Sequence, residues 1–381
     1  MRTTRTRTAG LAALVPLVAL IASACGSGTP TISVTPVSGW TPDATLLAAA
    51  QKEGTLNVIA LPPDWCNYGP MIDAFKGATG LAVNSITPDA GSGDELTAIT
   101  SNKTNAGPQA PDVIDVGYSF GAQAVQQGLL QAYKVSTWST IDPKTVDPNG
   151  YWYGDYYGVL SFAVNTSVIK DVPTDWSDLL KPEYAHSVAL AGDPTASNQA
   201  IQSVEASALG NGGSLDNAQK GLDFFKQLQQ AGNFVPTVGG QGTLASGETP
   251  ILITWNYLAQ SYADALKGNP AVQVVIPKTG RFGGIYVQGI SAYAPHPNAA
   301  KLWEEYLYSD AGQIGWLTGY CYTTRFADLV SRNAIPADLK AKLPDDTGVV
   351  FPTPDQLTAS KTLITTNWKS EVGVSVATAA P

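Results

Sequence analysis

Leu56-Asn57-Val58-Ile59-Ala60-Leu61 stands between Gly54, which stops a helix, and the turn-forming pair Pro62-Pro63. A run this short and this apolar reads as a strand buried on both faces, as in a parallel sheet covered by helices. Its neighbours keep the alternation. Pro42–Glu53 precedes it with helical spacing, and a helix near Gly69–Thr79 follows the Pro62–Tyr68 loop. Leu81–Ile86 is a second strand, Gly91-Ser92-Gly93 opens a helix reaching about Lys103, Asp112–Val116 is strand-like and Ala122–Leu129 helical. The middle of the chain repeats the style. Strands are predicted at Gly158–Asn165, Ser187–Ala191, Thr249–Trp255, Val272–Ile276 and Gly284–Ala292, with helices at Ser197–Leu209, Leu215–Ala231 and Tyr257–Lys267. The tail is mainly helical, most clearly over Asn298–Tyr308 and Gly312–Leu317. Strands alternating with helices predict an α/β fold built on a mostly parallel sheet flanked by helices.

The 381 residues are 44% hydrophobic and 14% charged, which excludes a disordered chain, and the length suffices for two domains. With 22 basic and 31 acidic residues the net charge is -9, so no nucleic-acid partner is expected. The two histidines, His186 and His296, and the absence of any Cys/His spacing leave little for a metal centre. No metal and no cofactor are expected. The sequence has no GxSxG, HExxH or phosphate-binding loop, and no catalytic residue is assigned.

The N-terminus sets the compartment. Met1–Thr8 carries Arg2, Arg5 and Arg7 and no acid, Ala9–Ile21 is apolar, and Ala22-Ser23-Ala24 precede Cys25. A basic start, a short apolar stretch and small residues describe a secretory signal. Cysteine directly after them resembles a bacterial lipobox, in which that cysteine is lipidated. On this reading residues 1–24 are a lipoprotein signal peptide, and residues 25–40 are the lipidated cysteine and a flexible tether. The protein is then extracytoplasmic and lipid-anchored to the outer face of a bacterial cell membrane. Loss of residues 1–24 takes three of the 22 basic residues and no acid; 19 remain against 31, a net charge of -12. Two cysteines are left in an oxidising compartment, Cys66 and Cys321, either as one disulfide or as two unrelated thiols.

In open α/β sheets, ligands bind outside the carboxyl ends of the strands. Those ends carry Asp64, Trp65, Asn67 and Tyr68, then Ser92, then Tyr118 and Ser119. Further along come Asp193, Thr195 and Ser197, then Trp255, Asn256 and Tyr257, and finally Tyr286, Gln288, Tyr320 and Tyr322. Aromatic faces, hydroxyls and a carboxylate suit a small polar ligand that carries an ammonium group. Each face offers roughly 0.5–2 kcal/mol of cation–π attraction. Asp193 would add a charge-assisted hydrogen bond.

Trp176-Ser177-Asp178-Leu179-Leu180-Lys181-Pro182-Glu183-Tyr184, followed by Val188–Leu190 and Asp193-Pro194, resembles the substrate-binding lipoproteins of ABC importers. The resemblance is to the group that includes spermidine/putrescine, iron(III), thiamine and aminophosphonate receptors. Pro111–Val116 with Tyr118, Gly247–Tyr257, Ala294–Gln313 and Gly319-Tyr320 continue it in the same order, over about Leu56–Trp368. It implies a two-lobed type II periplasmic-binding-protein fold that closes on its ligand about a two-segment hinge. Lobe 1 would hold residues 41–158 plus part of 292–381, and lobe 2 residues 159–291. The hinge crossings would lie near Tyr157–Asn165 and Tyr286–Tyr293. The implied function is capture of a small amine-bearing polar solute, acting as a monomer, for ABC permease subunits served by a cytoplasmic ATPase.

The resemblance carries ligand-binding roles to Trp65, Tyr68, Tyr118, Asp193, Trp255, Tyr286 and Tyr320. Where polyamine receptors place an acid beyond the late aromatic, this chain has Gln288, and Ala196, Ser197 and Asn198 stand where a second acid is expected. Burying an unpaired ammonium is costly. The resemblance therefore favours one cationic pole, as in an amino-acid-like zwitterion or an aminophosphonate, over a full polyamine. Arg281 and Arg325 are candidates for an anionic end. Iron(III) is the alternative cargo, with Tyr156-Tyr157 as adjacent tyrosines. A secreted lipoprotein enzyme is the alternative from another class, but the acidic pairs Asp94/Glu95 and Glu304/Glu305 read as solvated helix faces.

Overall fold

Gly54 stops the first helix, Ala44–Glu53, by adopting φ +78° and returning its N–H to the Ala50 carbonyl. The chain then enters its first strand. In order the strands are β1 (Thr55–Ile59), β2 (Ala82–Ile86), β3 (Val113–Gly117), β4 (Leu130–Gln131), β5 (Tyr153–Asn165) and β6 (Val188–Leu190). They continue as β7 (Thr237–Val238), β8 (Ile251–Trp255), β9 (Val272–Val275), β10 (Gly283–Ser291), β11 (Tyr322–Thr323) and β12 (Ala377–Thr378). This computed structural model describes residues 35–378. The expected signal segment, Cys25 and most of the expected tether lie outside the described residues.

β1 and β2 pair in parallel. β1 meets β3 through Asp112, whose N–H donates to the Asn57 carbonyl and whose carboxylate accepts the Asn57 N–H. β3 then pairs antiparallel with β10, and β10 antiparallel with β5. The 13-residue β5 is the long member. Its first part lies between β10 and β11, and its second part between β8 and β9. β6 runs parallel to β8 at the far side.

The result is two lobes joined through β5 and the entry into β10. The expectation of a mostly parallel sheet holds for the β1–β2, β6–β8 and β7–β12 pairs. Each ladder that contains β5 or β10 is antiparallel, because a chain that leaves one lobe and returns to it must reverse direction.

β5 begins at Tyr153, five residues before the strand read from the sequence, because Gly154 and Asp155 interrupt the apolar pattern. The helix expected from Ala122 begins at Tyr118, directly after β3, so Tyr118 and Ser119 are its first residues. The acidic pairs also differ from expectation. Glu95 and Glu304 are buried rather than solvated. Consecutive helix positions point in different directions, so one member of each pair turns inward.

The core takes most of the large aromatics: Trp176, Trp255, Trp303, Trp316 and Trp368 are all fully buried. The 18-residue helix Pro354–Glu371 starts from a capping box in which the Thr353 side chain accepts from Gln356 N–H. It packs on the helix Tyr118–Gln126 and on the helices Asn198–Gly210 and Gln219–Gln230, so it braces both lobes.

Candidate functional site

The loop that follows β1 is fixed by its backbone. Trp65 N–H closes a turn on the Pro62 carbonyl, and Cys66 and Asn67 both adopt left-handed φ, +45° and +70°. Asn67 donates its side-chain amide to the Gly315 carbonyl, and Cys66 is joined to Cys321 with Cα atoms 5.7 Å apart. Gly319 lies so close that a Cβ there would stand 2.4 Å from the Cys66 carbonyl carbon. These contacts hold Trp65 in place between the lobes.

Between the lobes lies a cavity of about 520 Å³. Trp65, Tyr156, Tyr262 and Tyr286 supply its aromatic walls. The lining contains six acidic residues, Asp64, Asp89, Asp94, Glu95, Asp115 and Asp193, and no Lys, Arg or His. Ser92, at the start of the helix Ser92–Ser101, and Ser197, the N-cap of the helix Asn198–Gly210, reach it from the two sides. Asn198 also bridges the lobes, standing where a Cβ on Gly117 would meet its side chain at 2.3 Å.

Behind the lining a buried network organises the acids. Tyr68 and Tyr156 hydroxyls donate to Asp115 Oδ2, at 2.7 and 3.0 Å. Glu95 Oε2 accepts the Asp115 N–H at 3.0 Å, and Ser92 Oγ accepts the Gly117 N–H at 3.0 Å. Gln288, paired with Asp115 across the β3–β10 ladder, donates to the Tyr68 hydroxyl and to Asp155 Oδ2. Asp115 Oδ1 is buried without a hydrogen-bond partner among the described residues. Burial pushes the Asp115 carboxyl up to about 7, although the two tyrosine hydroxyls pull the other way. Burial, reinforced by the charge of Asp115, also raises Glu95 and Asp155 well above the usual carboxylate range.

Six of the residues read from the strand ends line this cavity: Asp64, Trp65, Ser92, Asp193, Ser197 and Tyr286. Tyr68, Trp255, Tyr257 and Gln288 lie behind it and are fully buried. Trp255 stacks near Tyr257 with ring centroids 6.3 Å apart, and Tyr257 meets Trp65 at 5.4 Å, so these two rings support the aromatic wall. Tyr118 donates to the Lys144 carbonyl and packs on Trp152, Ser119 is buried in the same helix, and Tyr320 donates to Asp264. None of these three lines the cavity.

Gln288, standing where the resemblance leads one to look for an acid, does not leave the cavity short of carboxylates. Gln288 faces the interior of its lobe, and the acids come from Asp64, Asp89, Asp94, Glu95 and Asp115 instead. Sequence reasoning missed Asp115, whose one signal was a charged residue inside an apolar strand.

Arg325 is almost fully buried against Asp310 and Asp328, and Arg281 pairs with Asp345, so neither arginine lines the cavity. Tyr156 and Tyr157 diverge, as neighbours on a strand must. Tyr156 turns to Asp115, and Tyr157 stacks on Tyr322 at 5.0 Å and donates to Asp346. Among the described residues no cluster of three His, Cys, Asp or Glu side chains could hold a metal ion.

A second hollow, about 610 Å³, lies between Trp40, Tyr133, Lys301 and Glu305. The Glu305 carboxylate there is already occupied by the Tyr133 hydroxyl and by Ser136 N–H and Oγ. That site is satisfied internally, in contrast to the acidic cavity.

Known proteins fit this geometry. The profile of the bacterial extracellular solute-binding proteins matches residues 109–352, well over half of the chain. An uncharacterized protein of Haemophilus influenzae is 27% identical over 60% of this chain, which spans 66% of that relative's length, just under two thirds. A Salmonella typhimurium protein, whose name proposes periplasmic binding of 2-aminoethylphosphonate, is also 27% identical, over 65% of this chain and 70% of its own. The solved periplasmic binding protein AfuA of Actinobacillus pleuropneumoniae, with fructose-6-phosphate bound, shares the fold at a TM-score of 0.64 and 24% identity. It aligns over 84% of this chain and 99% of its own. The two-lobed type II architecture and the family match agree, and the chain belongs to the bacterial extracellular solute-binding proteins.

Proposed function

We propose that the protein captures a small amine-bearing polar solute in the cavity between its lobes and passes it to the permease of an ABC importer driven by a cytoplasmic ATPase. The observation that carries this reading is the charge of the lining, six carboxyl groups and no basic side chain around Trp65, Tyr156 and Tyr286. A cation that enters exchanges water for carboxylates and aromatic faces, both of which favour it. Trp65, Ser92, Glu95, Asp115, Tyr156, Asp193, Ser197 and Tyr286 are the binding residues on this reading. The Salmonella relative supports it, since 2-aminoethylphosphonate carries an amine. Lobes of residues 41–158 plus part of 292–381, and of 159–291, would close about β5 and β10 near Gly158 and Gly284. Residues 1–24 would direct export, Cys25 would carry the lipid, and the receptor would act as a monomer at the outer face of the membrane.

A panel of putrescine, spermidine, γ-aminobutyrate, 2-aminoethylphosphonate, betaine, thiamine and ferric citrate tests this. An amine should raise the melting temperature, as any ligand of the native state does, and alter tryptophan fluorescence. Silence from every amine overturns the reading, and turnover of any member replaces it with an enzyme. A zwitterion is the second reading. The helices Ser92–Ser101 and Asn198–Gly210 both begin at the cavity, and first-turn N–H groups lack intrahelical partners, so they suit a phosphonate or carboxylate.

A further inference from the structure

Asp115 lies where the lining meets the buried network, and everything that faces it is acidic or neutral. Glu95 approaches from the helix Ser92–Ser101, and Asp155 and Tyr156 from β5. Tyr68 comes from the helix Tyr68–Thr79, Tyr257 from the helix Asn256–Leu266, and Tyr286 and Gln288 from β10. Glu304 and Tyr308, from the helix Pro297–Leu307 and its C-cap, complete the surroundings. No lysine, arginine or histidine is among them. Four carboxyl groups, Glu95, Asp115, Asp155 and Glu304, are thus buried together without a cation, although burial of a charge demands one. Of these, Asp115 and Glu95 line the cavity, and Asp115 Oδ1 has no hydrogen-bond partner among the described residues, as is true of both oxygens of Glu304 deeper in.

We infer that this carboxyl cluster is a proton–cation exchange site: the empty receptor holds a proton on it, and the ammonium group of the captured solute displaces that proton into solvent. The inference rests on the amine reading above and adds its regulation. In the exchange the O–H bond of the Asp115 carboxyl breaks, its proton passes to buffer, and the carboxylate left behind accepts the ammonium N–H. The ammonium keeps its own protons. Charge within the cavity is unchanged, which removes the cost of placing a bare carboxylate in the empty, poorly solvated interior. The position of Asp115 near 7 sets the working range. The bound state favours the ionised carboxyl, so affinity rises with pH and levels off above that value. Between pH 6 and pH 8 the gain is about tenfold.

Two measurements on the intact protein test this. Infrared spectra of the unloaded receptor should show protonated-carboxyl C=O absorption with a component that titrates away near pH 7, and that component should be missing in Asp115→Asn. If that variant fails to fold, Glu95→Gln should shift that component's titration to lower pH. Calorimetric titration with putrescine and with 2-aminoethylphosphonate at pH 6.5, in buffers of different ionisation enthalpy, should show release of about one proton per amine bound. An absent or pH-independent component overturns the proposal. Amine binding without proton release also overturns it and leaves the amine reading standing. A titrating Asp115 band with no binding of any amine of the panel overturns the amine reading, and the exchange with it.

Discussion

Trp65 and Trp255 separate two kinds of aromatic that look alike in sequence. Trp65 is half-buried on the cavity wall, whereas Trp255 is fully buried behind Tyr257 and Tyr286. Replacing Trp65 by Ala should remove one cation–π face, roughly 0.5–2 kcal/mol, and weaken amine binding by a few-fold to about thirtyfold. Stability should change little by comparison. Trp255→Ala should cost about 3–5 kcal/mol of stability, as large-to-small core changes do. Titration calorimetry beside denaturant melts of both variants checks the contrast, and equal effects on both quantities in both variants would refute it.

At the scale of elements, the loop after β1 and the turn before β11 act as one unit because Cys66 and Cys321 join them. Intact mass should rise by two hydrogens on reduction under denaturing conditions. The paired Cys66→Ser, Cys321→Ser variant should lose about 2–5 kcal/mol of stability. It should also bind amines more weakly, because Trp65 is adjacent to the bridge. The start of the helix Asn198–Gly210 is a second such junction. A Cβ at Gly117 would meet the Asn198 side-chain amide at 2.3 Å, so Gly117→Ala should displace that side chain and, where it cannot turn aside, open the lobes at the cavity. Small-angle scattering should then report a larger radius of gyration for Gly117→Ala than for the parent, with affinity reduced tenfold or more; identical profiles would show that the two lobes do not bear on each other there.

For the whole molecule, stability should peak in mildly acidic solution. Burial raises Asp115 from 3.8 to about 7 and Glu205 from 4.5 to about 8. Groups raised on folding bind more protons in the native state, so their contribution is complete below the ordinary values and is lost as pH climbs through the raised ones. Ion pairs act in the opposite sense. Hydrogen bonding to Lys181 lowers Asp178 to about 2, and Arg332 lowers Asp310 and Asp328, so these contributions are lost as pH falls below about 4. Melting temperatures should therefore be highest between about pH 4 and pH 6 and fall toward pH 8, less steeply in Asp115→Asn. A melting temperature that rises from pH 5 to pH 8 would contradict this. An amine at saturation should flatten the alkaline side, because it replaces the proton that the empty cavity loses.

The sequence by itself determined the class of the molecule. Apolar runs such as Leu56–Leu61 and Thr249–Trp255, punctuated by glycine and proline, encode strands and helices through local sterics and periodicity, and the succession of such elements leaves few topologies open. It also placed Trp65, Asp193 and Tyr286 at strand ends, where a cavity forms. Tertiary structure alone decided the charge of that cavity. Asp115 and Gln288 are far apart in the chain but face each other across the β3–β10 ladder, and only the fold turns Asp115 and Glu95 to the cavity and Gln288 to the interior. Whether a side chain lines a cavity or the core depends on what packs against it from the other lobe, and no local pattern carries that information.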